Sequence, residues 1–263
     1  MKIDLTNKIF LVTGSAGFGV GSGICEAIDL AGGTLVINDL SKEKVEKAAK
    51  KYKNAVGIVA DISKSEEVER LFNEIKKKLG PLHGVINNAG IGHRKPAHET
   101  TMEEFETLFN TNFKGVWLIS KAFALDCITH EIKGNIITVS SVHAFNSTNK
   151  YSLYASAKGA LNNLTRGLSI ELGQYGIRCN GIAPGYVDSA YNVKAVREWS
   201  EDPDKWVKDQ IEDYQSIPEV ITSLDCGNAV VYLLSEYSKS ITGQIIKVDS
   251  GFTNLLYSNS FLP

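Results

Sequence analysis

Cysteine is scarce in this chain and widely scattered. There are four, Cys25, Cys127, Cys179 and Cys226, and no two form a CxxC pair. That distribution excludes a disulfide framework and a cysteine-rich zinc site, and it fits reduced thiols used as small apolar residues in a cytoplasmic protein. An excess of either charge is also lacking. With 28 basic and 30 acidic residues the formal net charge is −2, which leaves no electrostatic footprint for nucleic acid or an anionic membrane. Long hydrophobic runs are missing as well: the best candidate, GVWLISKAFAL, is broken by Lys121, far short of the roughly 18 apolar residues of a spanning helix. The opening MKIDLTNKIF is too polar for a secretory signal. No repeat, low-complexity tract or composition shift divides the chain, so residues 1–263 read as one domain.

Glycine, by contrast, is concentrated. TGSAGFGVGSG, Thr13 to Gly23, carries five glycines in eleven residues. Ile9 to Val12 before it form a short apolar run of strand type. Ile24, Ala27, Ile28 and Ala31 after it have the spacing of a buried helix face. Strand, glycine loop and helix is the arrangement in which backbone amides and the helix dipole can hold a pyrophosphate.

The remaining chain alternates in the same way. Strand patterns fall at 34–39, 54–61, 84–90, 134–141, 177–185 and 244–251. Helical patterns lie between them, including a long one from Met102 to about His130 and another from about Tyr151 to Gln174. Short apolar runs separated by helices predict an α/β fold: a doubly wound, seven-stranded parallel sheet covered on both faces. The stretch from Asp188 to Pro218 departs from this rhythm, with Tyr191, Trp199, Trp206 and Tyr214 set among charges. It fits either a substrate lid or a pair of peripheral helices packed by those rings.

Two further features carry chemistry. Asp39 ends the second strand, 25 positions after Gly14. A carboxylate there can accept hydrogen bonds from the adenosine ribose and repel a 2′-phosphate, which favours NAD over NADP. Ser41 is available to cap the next helix in its place. In YSLYASAKGA, residues 151–160, Tyr154 and Lys158 are four apart and share a helix face. An ammonium near a phenol favours phenolate and makes tyrosine a usable acid or base. The preceding strand ends in Ser140-Ser141, at the edge where ligands of open parallel sheets bind.

Taken together, these pieces resemble the single-domain short-chain dehydrogenase/reductase family over residues 3–254. The motifs are TG…GVG (13–21), Asp39, Asp61-Ile62, NNAG (87–90), Asn112 in NFKG, Ser141, YASAK (154–158) and Pro184-Gly185. The resemblance implies a Rossmann-type domain whose residues 1–140 mainly bind the dinucleotide and whose residues 141–263 carry catalysis and the substrate. It implies Tyr154 as proton donor or acceptor and Ser141 as partner of the substrate oxygen. Lys158 would bind the nicotinamide ribose, and Asn112 would order a water leading to solvent. Cofactor contacts would come from Gly14, Gly19, Val20, Gly21, Asp39, Leu40, Asp61, Ile62, Asn88, Ala89, Gly90, Tyr154, Lys158, Pro184, Gly185, Val187 and Ser189. Helix-kink stabilisation is a second role open to Asn112, and Asn87 reads as a structural hydrogen bond between strands. Family members usually assemble as dimers or tetramers, and the apolar tail FTNLLYSNSFLP would pack at or across such an interface.

The glycine loop departs from the family spacing by one residue, placed at Gly17-Phe18, while Gly19 and Gly21 stay in register with the helix behind them. His93, Arg94 and Lys95 form a basic cluster on a loop that borders the substrate cleft in this family. With His143, Asn149, Tyr186 and Tyr191 it points to a polar, anionic or sugar-like alcohol or ketone as the small-molecule substrate; a solvated surface loop is the plainer alternative. The expected activity is NAD-dependent interconversion of a secondary alcohol and a ketone, with no metal. Alternatives are an NADPH-dependent 3-oxoacyl-carrier-protein reductase, a nucleotide-sugar epimerase or dehydratase, and a non-catalytic dinucleotide-binding scaffold.

Overall fold

The computed structural model describes residues 3–261, apart from the side chain of Tyr191. Seven strands form one parallel sheet in the order β3-β2-β1-β4-β5-β6-β7. They are β1 (Ile9–Thr13), β2 (Thr34–Asp39), β3 (Ala55–Val59), β4 (Gly84–Asn87), β5 (Gly134–Val139), β6 (Ile177–Pro184) and β7 (Ile245–Val248). The helices are α1 (Val20–Leu30), α2 (Lys42–Ala49), α3 (Ser65–Leu79), α4 (Met102–Phe109), α5 (Gly115–Thr129), α6 (Ser152–Leu172), α7 (Ala190–Arg197), α8 (Pro203–Glu212) and α9 (Ser223–Leu234).

The two-residue period of the strands builds both faces of the core. Leu11 pairs in register with Val36 and Val85, and all three join α3 and α5 in one cluster with Leu71, Ile75, Ile119 and Phe123. The next residue along, Val12, pairs with Ile37 and Ile86 and packs on the opposite face with Ile24 and Ile28 of α1 and Val230 and Leu234 of α9. Strands buried on both faces read as continuous apolar runs, which is how the sequence presents them.

Strand order reverses beside β1, between β2 and β4, and that reversal opens a crevice at the carboxyl edge of the sheet. Several strands stop short of their apolar patterns there. Asp61, Asn88 to Gly90, and Ser140-Ser141 lie just beyond the strand ends, at the edge of the crevice.

The long helical pattern beginning at Met102 is not one helix. A π turn spans Asn110–Lys114 and separates α4 from α5, with Asn112 fully buried inside it. An i→i+5 turn accommodates an extra residue without ending the helix, and such turns concentrate at functional sites. The stretch from Asp188 to Pro218 holds α7 and α8. Its start is fastened to the lead-in of α9 by a parallel bridge between Asp188 and Thr222. Among the described residues no helix is long and apolar enough to cross a membrane, and no cluster of metal-ligating side chains occurs. All four cysteines are buried free thiols.

Candidate active site

The glycine loop is packed tight below and open above. Gly14 has a left-handed backbone (φ 60°), and a Cβ there would lie 2.6 Å from the Ala89 Cα. A Cβ on Gly21 would lie 2.5 Å from Asn88 Nδ2 and 2.9 Å from the Gly14 carbonyl oxygen. A Cβ on Gly19, however, would meet nothing within 4 Å. Gly19 is also the N-cap of α1 and offers no side chain to the first-turn amides, and that turn holds no acidic residue. These features fit a nicotinamide dinucleotide, whose pyrophosphate would suit an uncapped helix N-terminus with no acidic residue in its first turn and open space at Gly19.

Phe18 is 64 % exposed, and the Lys51 ammonium sits 4.9 Å from its ring centroid. Val20 begins α1 directly after Gly19.

Asp39 is held from two directions. Its carboxylate accepts from Leu40 N at 2.8 Å and from Ala16 N, in the glycine loop, at 3.2 Å. Ser41 caps α2 by accepting from Lys44 N, so Asp39 is not needed as the cap. A carboxylate has about four acceptor positions, so two fixed bonds orient it and leave capacity for ribose hydroxyls. The Leu40 side chain is exposed beside it.

Asp61 accepts from the backbone and hydroxyl of Ser63. Burial alone would raise its carboxyl pKa, but those bonds and Lys64 outweigh it and hold the value below the ordinary range. Ile62 is buried, with its side chain packed where a Cβ on Gly115 would fall. Asn88 ties the next segment to the glycine loop, its amide donating to the carbonyls of Thr13 and Gly14 at 2.9 Å each. Thr13 takes a part that the sequence pattern did not single out: its hydroxyl accepts from both Asn88 N and Ala89 N at 3.1 Å. The only sequence signal was its place before Gly14. Asn87 donates to Ser120 Oγ on α5 at 3.0 Å. It therefore ties a strand to a helix, not strand to strand as the sequence reading had it.

At the far side of the crevice four residues converge. Lys158 of α6 is buried and donates to the Val139 carbonyl at 2.9 Å, with its ammonium 5.8 Å from the centroid of the Tyr154 ring. Burial pushes its pKa down to about 8. Asn112 exchanges two bonds with the backbone of Ile91, accepting from its N at 2.8 Å and donating to its carbonyl at 2.9 Å. These bonds seat the Gly90 corner so that a Cβ there would lie 3.3 Å from Asn112 Oδ1 and 3.7 Å from Lys158 Nζ. Ser141 Oγ accepts from His143 N at 3.2 Å. The adjacent Ser140 is bound inward to Asn162 Oδ1 at 2.7 Å, which leaves Ser141 as the hydroxyl of the pair at the edge.

Beyond β6, Gly185 N donates to the Val248 carbonyl. The Val187 carbonyl accepts from Asn192 Nδ2 at 2.8 Å, and Ser189 caps α7 by accepting from Asn192 N. Pro184 closes the strand beside them.

The basic cluster at residues 93–95 does not act as one patch. Both oxygens of Glu104 engage Lys95, at 2.9 and 3.0 Å, and His93 shares a hydrogen bond with Thr100 Oγ1. Arg94 instead lies over the Trp199 ring, 4.8 Å from its centroid. Trp199 meets Trp206 edge-on, and Trp206 meets Tyr186 in the same manner, so a ladder of rings joins this loop to α8 and to the residues after β6. The Tyr186 hydroxyl is buried and has no hydrogen-bond partner. Lys95 N donates to the Lys150 carbonyl, which sets the same loop against the segment that leads into Tyr154. His143 stacks on Tyr151 and meets Tyr154 edge-on, whereas Asn149 is exposed. The Tyr191 side chain lies outside the described residues.

The tail returns to α8 of its own chain. Ser260 donates through N and Oγ to the Asp213 carboxylate, and Asn259 Nδ2 donates to the carbonyls of Glu212 and Gln215. Leu256, Tyr257 and Phe261 stay exposed.

The chain is similar over most of its length to several known proteins. A family model described as enoyl-(acyl carrier protein) reductase matches residues 14–253. An L-xylulose reductase from Caenorhabditis elegans is 35% identical over 257 residues, covering 95% of this chain and 98% of its own. A 5-keto-D-gluconate 5-reductase from Escherichia coli is 29% identical over 94% of this chain and 96% of its own. A solved structure from Agrobacterium tumefaciens, provisionally described as a gluconate dehydrogenase, superposes with a TM-score of 0.89 at 27% identity, covering 97% of this chain and all of that one. The motifs, their placement at one sheet edge and these matches over nearly the whole length lead to one conclusion: the chain belongs to the short-chain dehydrogenase/reductase family.

Proposed function

We propose that this protein is an NAD-dependent oxidoreductase interconverting a secondary alcohol and a ketone on a small, sugar-like substrate. The observation that carries this reading is the convergence of Ser141, Tyr154, Lys158 and the Asn112-held Gly90 corner beside an open glycine cradle. When bound, the nicotinamide supplies or takes up the hydride. The chain's own groups handle the oxygen and the proton. Ser141 already accepts from His143 N, so its hydroxyl proton is left to donate to the substrate oxygen and steady its charge. Tyr154 takes the hydroxyl proton during oxidation and returns it during reduction. Lys158 in its ammonium form favours the phenolate and so lowers the cost of that transfer. Asn112 keeps the corner at Lys158 and orders the water through which Lys158 exchanges protons.

Asp39, oriented by Ala16 and Leu40, accepts from the adenosine ribose and repels a 2′-phosphate. The sugar-like class follows from the relatives that act on xylulose and ketogluconate, and from Arg94, whose partner is a ring and not a carboxylate. A guanidinium with no carboxylate partner suits a sugar acid. The exposed Leu256, Tyr257 and Phe261 suit a homo-oligomeric interface, and a monomer by light scattering would refute that part.

The test is a side-by-side assay of NAD and NADP with xylitol, D-gluconate and D-glucose. Turnover with a clear preference for NAD is expected, and a preference for NADP would overturn the cofactor assignment. Tyr154→Phe should abolish turnover and leave NAD affinity intact; undiminished turnover would remove Tyr154 from the acid–base role.

A further inference from the structure

The ring of His143 is held more firmly than a cleft-lining side chain needs for shape alone. It lies flat on Tyr151, with centroids 4.7 Å apart and planes 3° from parallel, and it meets Tyr154 edge-on at 5.7 Å and 82°. Its backbone N–H is spent on Ser141 Oγ, so ring and serine hydroxyl are fixed in one short turn, Val142–Ala144. Yet Nδ1 of the ring is buried and finds no hydrogen-bond partner. A buried polar atom left unsatisfied destabilises the fold, and a phenyl ring would make the same two aromatic contacts without that penalty. Burial also pushes the imidazole pKa down, so the ring is neutral near pH 7 and its nitrogens are one donor and one acceptor.

We infer that His143 is a specificity-determining residue: its ring hydrogen-bonds a second hydroxyl of the substrate, on a carbon next to the one that reacts, and thereby selects vicinal diols and α-hydroxyketones over simple alcohols and ketones. The geometry sets the reach. The reacting oxygen must lie between Ser141 Oγ and the Tyr154 hydroxyl, and His143 meets both residues, through its N–H on one and its ring on the other. A group bonded to the imidazole therefore falls within one or two carbons of the reacting centre. A site that bonds a substrate hydroxyl discriminates strongly against the analogue lacking it, because the site's own polar atom is then left buried and unpaired.

This inference rests on the alcohol–ketone chemistry proposed above, and the experiment separates the two. Butane-2,3-diol and butan-2-ol differ by the adjacent hydroxyl alone. Their NAD-linked oxidation is compared in the wild-type protein and in His143→Phe, which keeps the ring and removes both nitrogens. The kcat/KM of the diol should fall by about tenfold or more, while that of butan-2-ol changes by less than about threefold. Equal losses on both alcohols, or no loss on either, would overturn the specificity role while the alcohol–ketone reading stands. A wild-type protein inactive on these two and on every polyol tried would overturn the parent reading and this inference with it. If His143→Phe does not fold, His143→Gln, which keeps hydrogen-bonding atoms, should retain the diol preference; loss of that preference with an intact fold counts against the role.

Discussion

Asn112 and Ile91 exchange two hydrogen bonds, a side-chain amide on a π turn pairing with a backbone amide at the crevice floor, at 2.8 and 2.9 Å. The pair fixes the Gly90 corner next to the Lys158 ammonium. Replacing Asn112 with Ala leaves both backbone groups of Ile91 without their partner, at a cost of about 2–3 kcal/mol if water does not enter. The corner should then loosen around Lys158, and kcat should fall by about tenfold or more. Urea unfolding and steady-state kinetics together check this. A variant that loses stability and keeps its kcat would reduce Asn112 to a structural part.

Lys158 supplies a pH test that needs no substrate. Burial holds its folded-state pKa near 8, against the ordinary lysine value of 10.5. Below about pH 8 both folded and unfolded chains carry the ammonium, and the folded state bears the full cost of burying it. As pH rises through about 8 the folded protein releases that proton while the unfolded chain keeps it, so stability rises until the unfolded lysine also titrates. The gain is on the order of 3 kcal/mol. Lys158→Met should lack this rise. Urea midpoints of the cofactor-free proteins at about pH 7 and about pH 10 measure it, and a wild-type curve that stays parallel to the variant's would place the ammonium in water.

The two inner glycines of the loop should respond oppositely to the same change. Gly21→Ala drives a methyl into Asn88 Nδ2 and the Gly14 carbonyl, so it should lower the unfolding temperature of the cofactor-free protein. Gly19 has an ordinary extended backbone (φ −109°) and open space around its Cβ position. Gly19→Ala should therefore fold with near-normal stability and lose NAD affinity by about tenfold or more, since the methyl occupies the phosphate's room. Calorimetry of binding and thermal scans separate the outcomes. Normal NAD affinity in Gly19→Ala would mean that the pyrophosphate lies elsewhere.

Much of this was legible in the sequence, and what was hidden has a common cause. Strand and helix order follows from local periodicity, so Leu11 and Val12 could be sent to opposite faces from the pattern alone. Asp39 could be set at a strand end, and Tyr154 and Lys158 on one helix face, from local pattern, whereas the choice of Ser141 over Ser140 came from the family resemblance. The break at Asn110–Lys114 could not, because a π turn preserves the apolar pattern to within one residue and declares itself only through the Asn112–Ile91 pairing. The basic run His93-Arg94-Lys95 was readable as composition and misleading as electrostatics. Glu104 removes Lys95 from it, and Trp199, more than a hundred positions away, takes Arg94. Nor could local pattern send the tail back to Asp213, just after α8. Pairings across the fold are not encoded in spacing.

That pairing of Arg94 with Trp199 yields the last prediction. An exposed cation–π contact is worth about 0.5–1 kcal/mol, so it positions the guanidinium and joins the loop to α8 without contributing much stability. If Arg94 meets a substrate carboxylate, Arg94→Ala should raise KM for D-gluconate by about tenfold, leave kcat near normal and change KM for xylitol by less than about twofold. Arg94→Lys keeps the charge and loses the planar fork, so it should fall between wild type and Ala on gluconate alone. Trp199→Leu should imitate part of the same effect by releasing the guanidinium from its support. Equal increases in KM for both substrates would instead show that the contact serves to order α7 and α8 over the cleft and that Arg94 carries no preference for an anion.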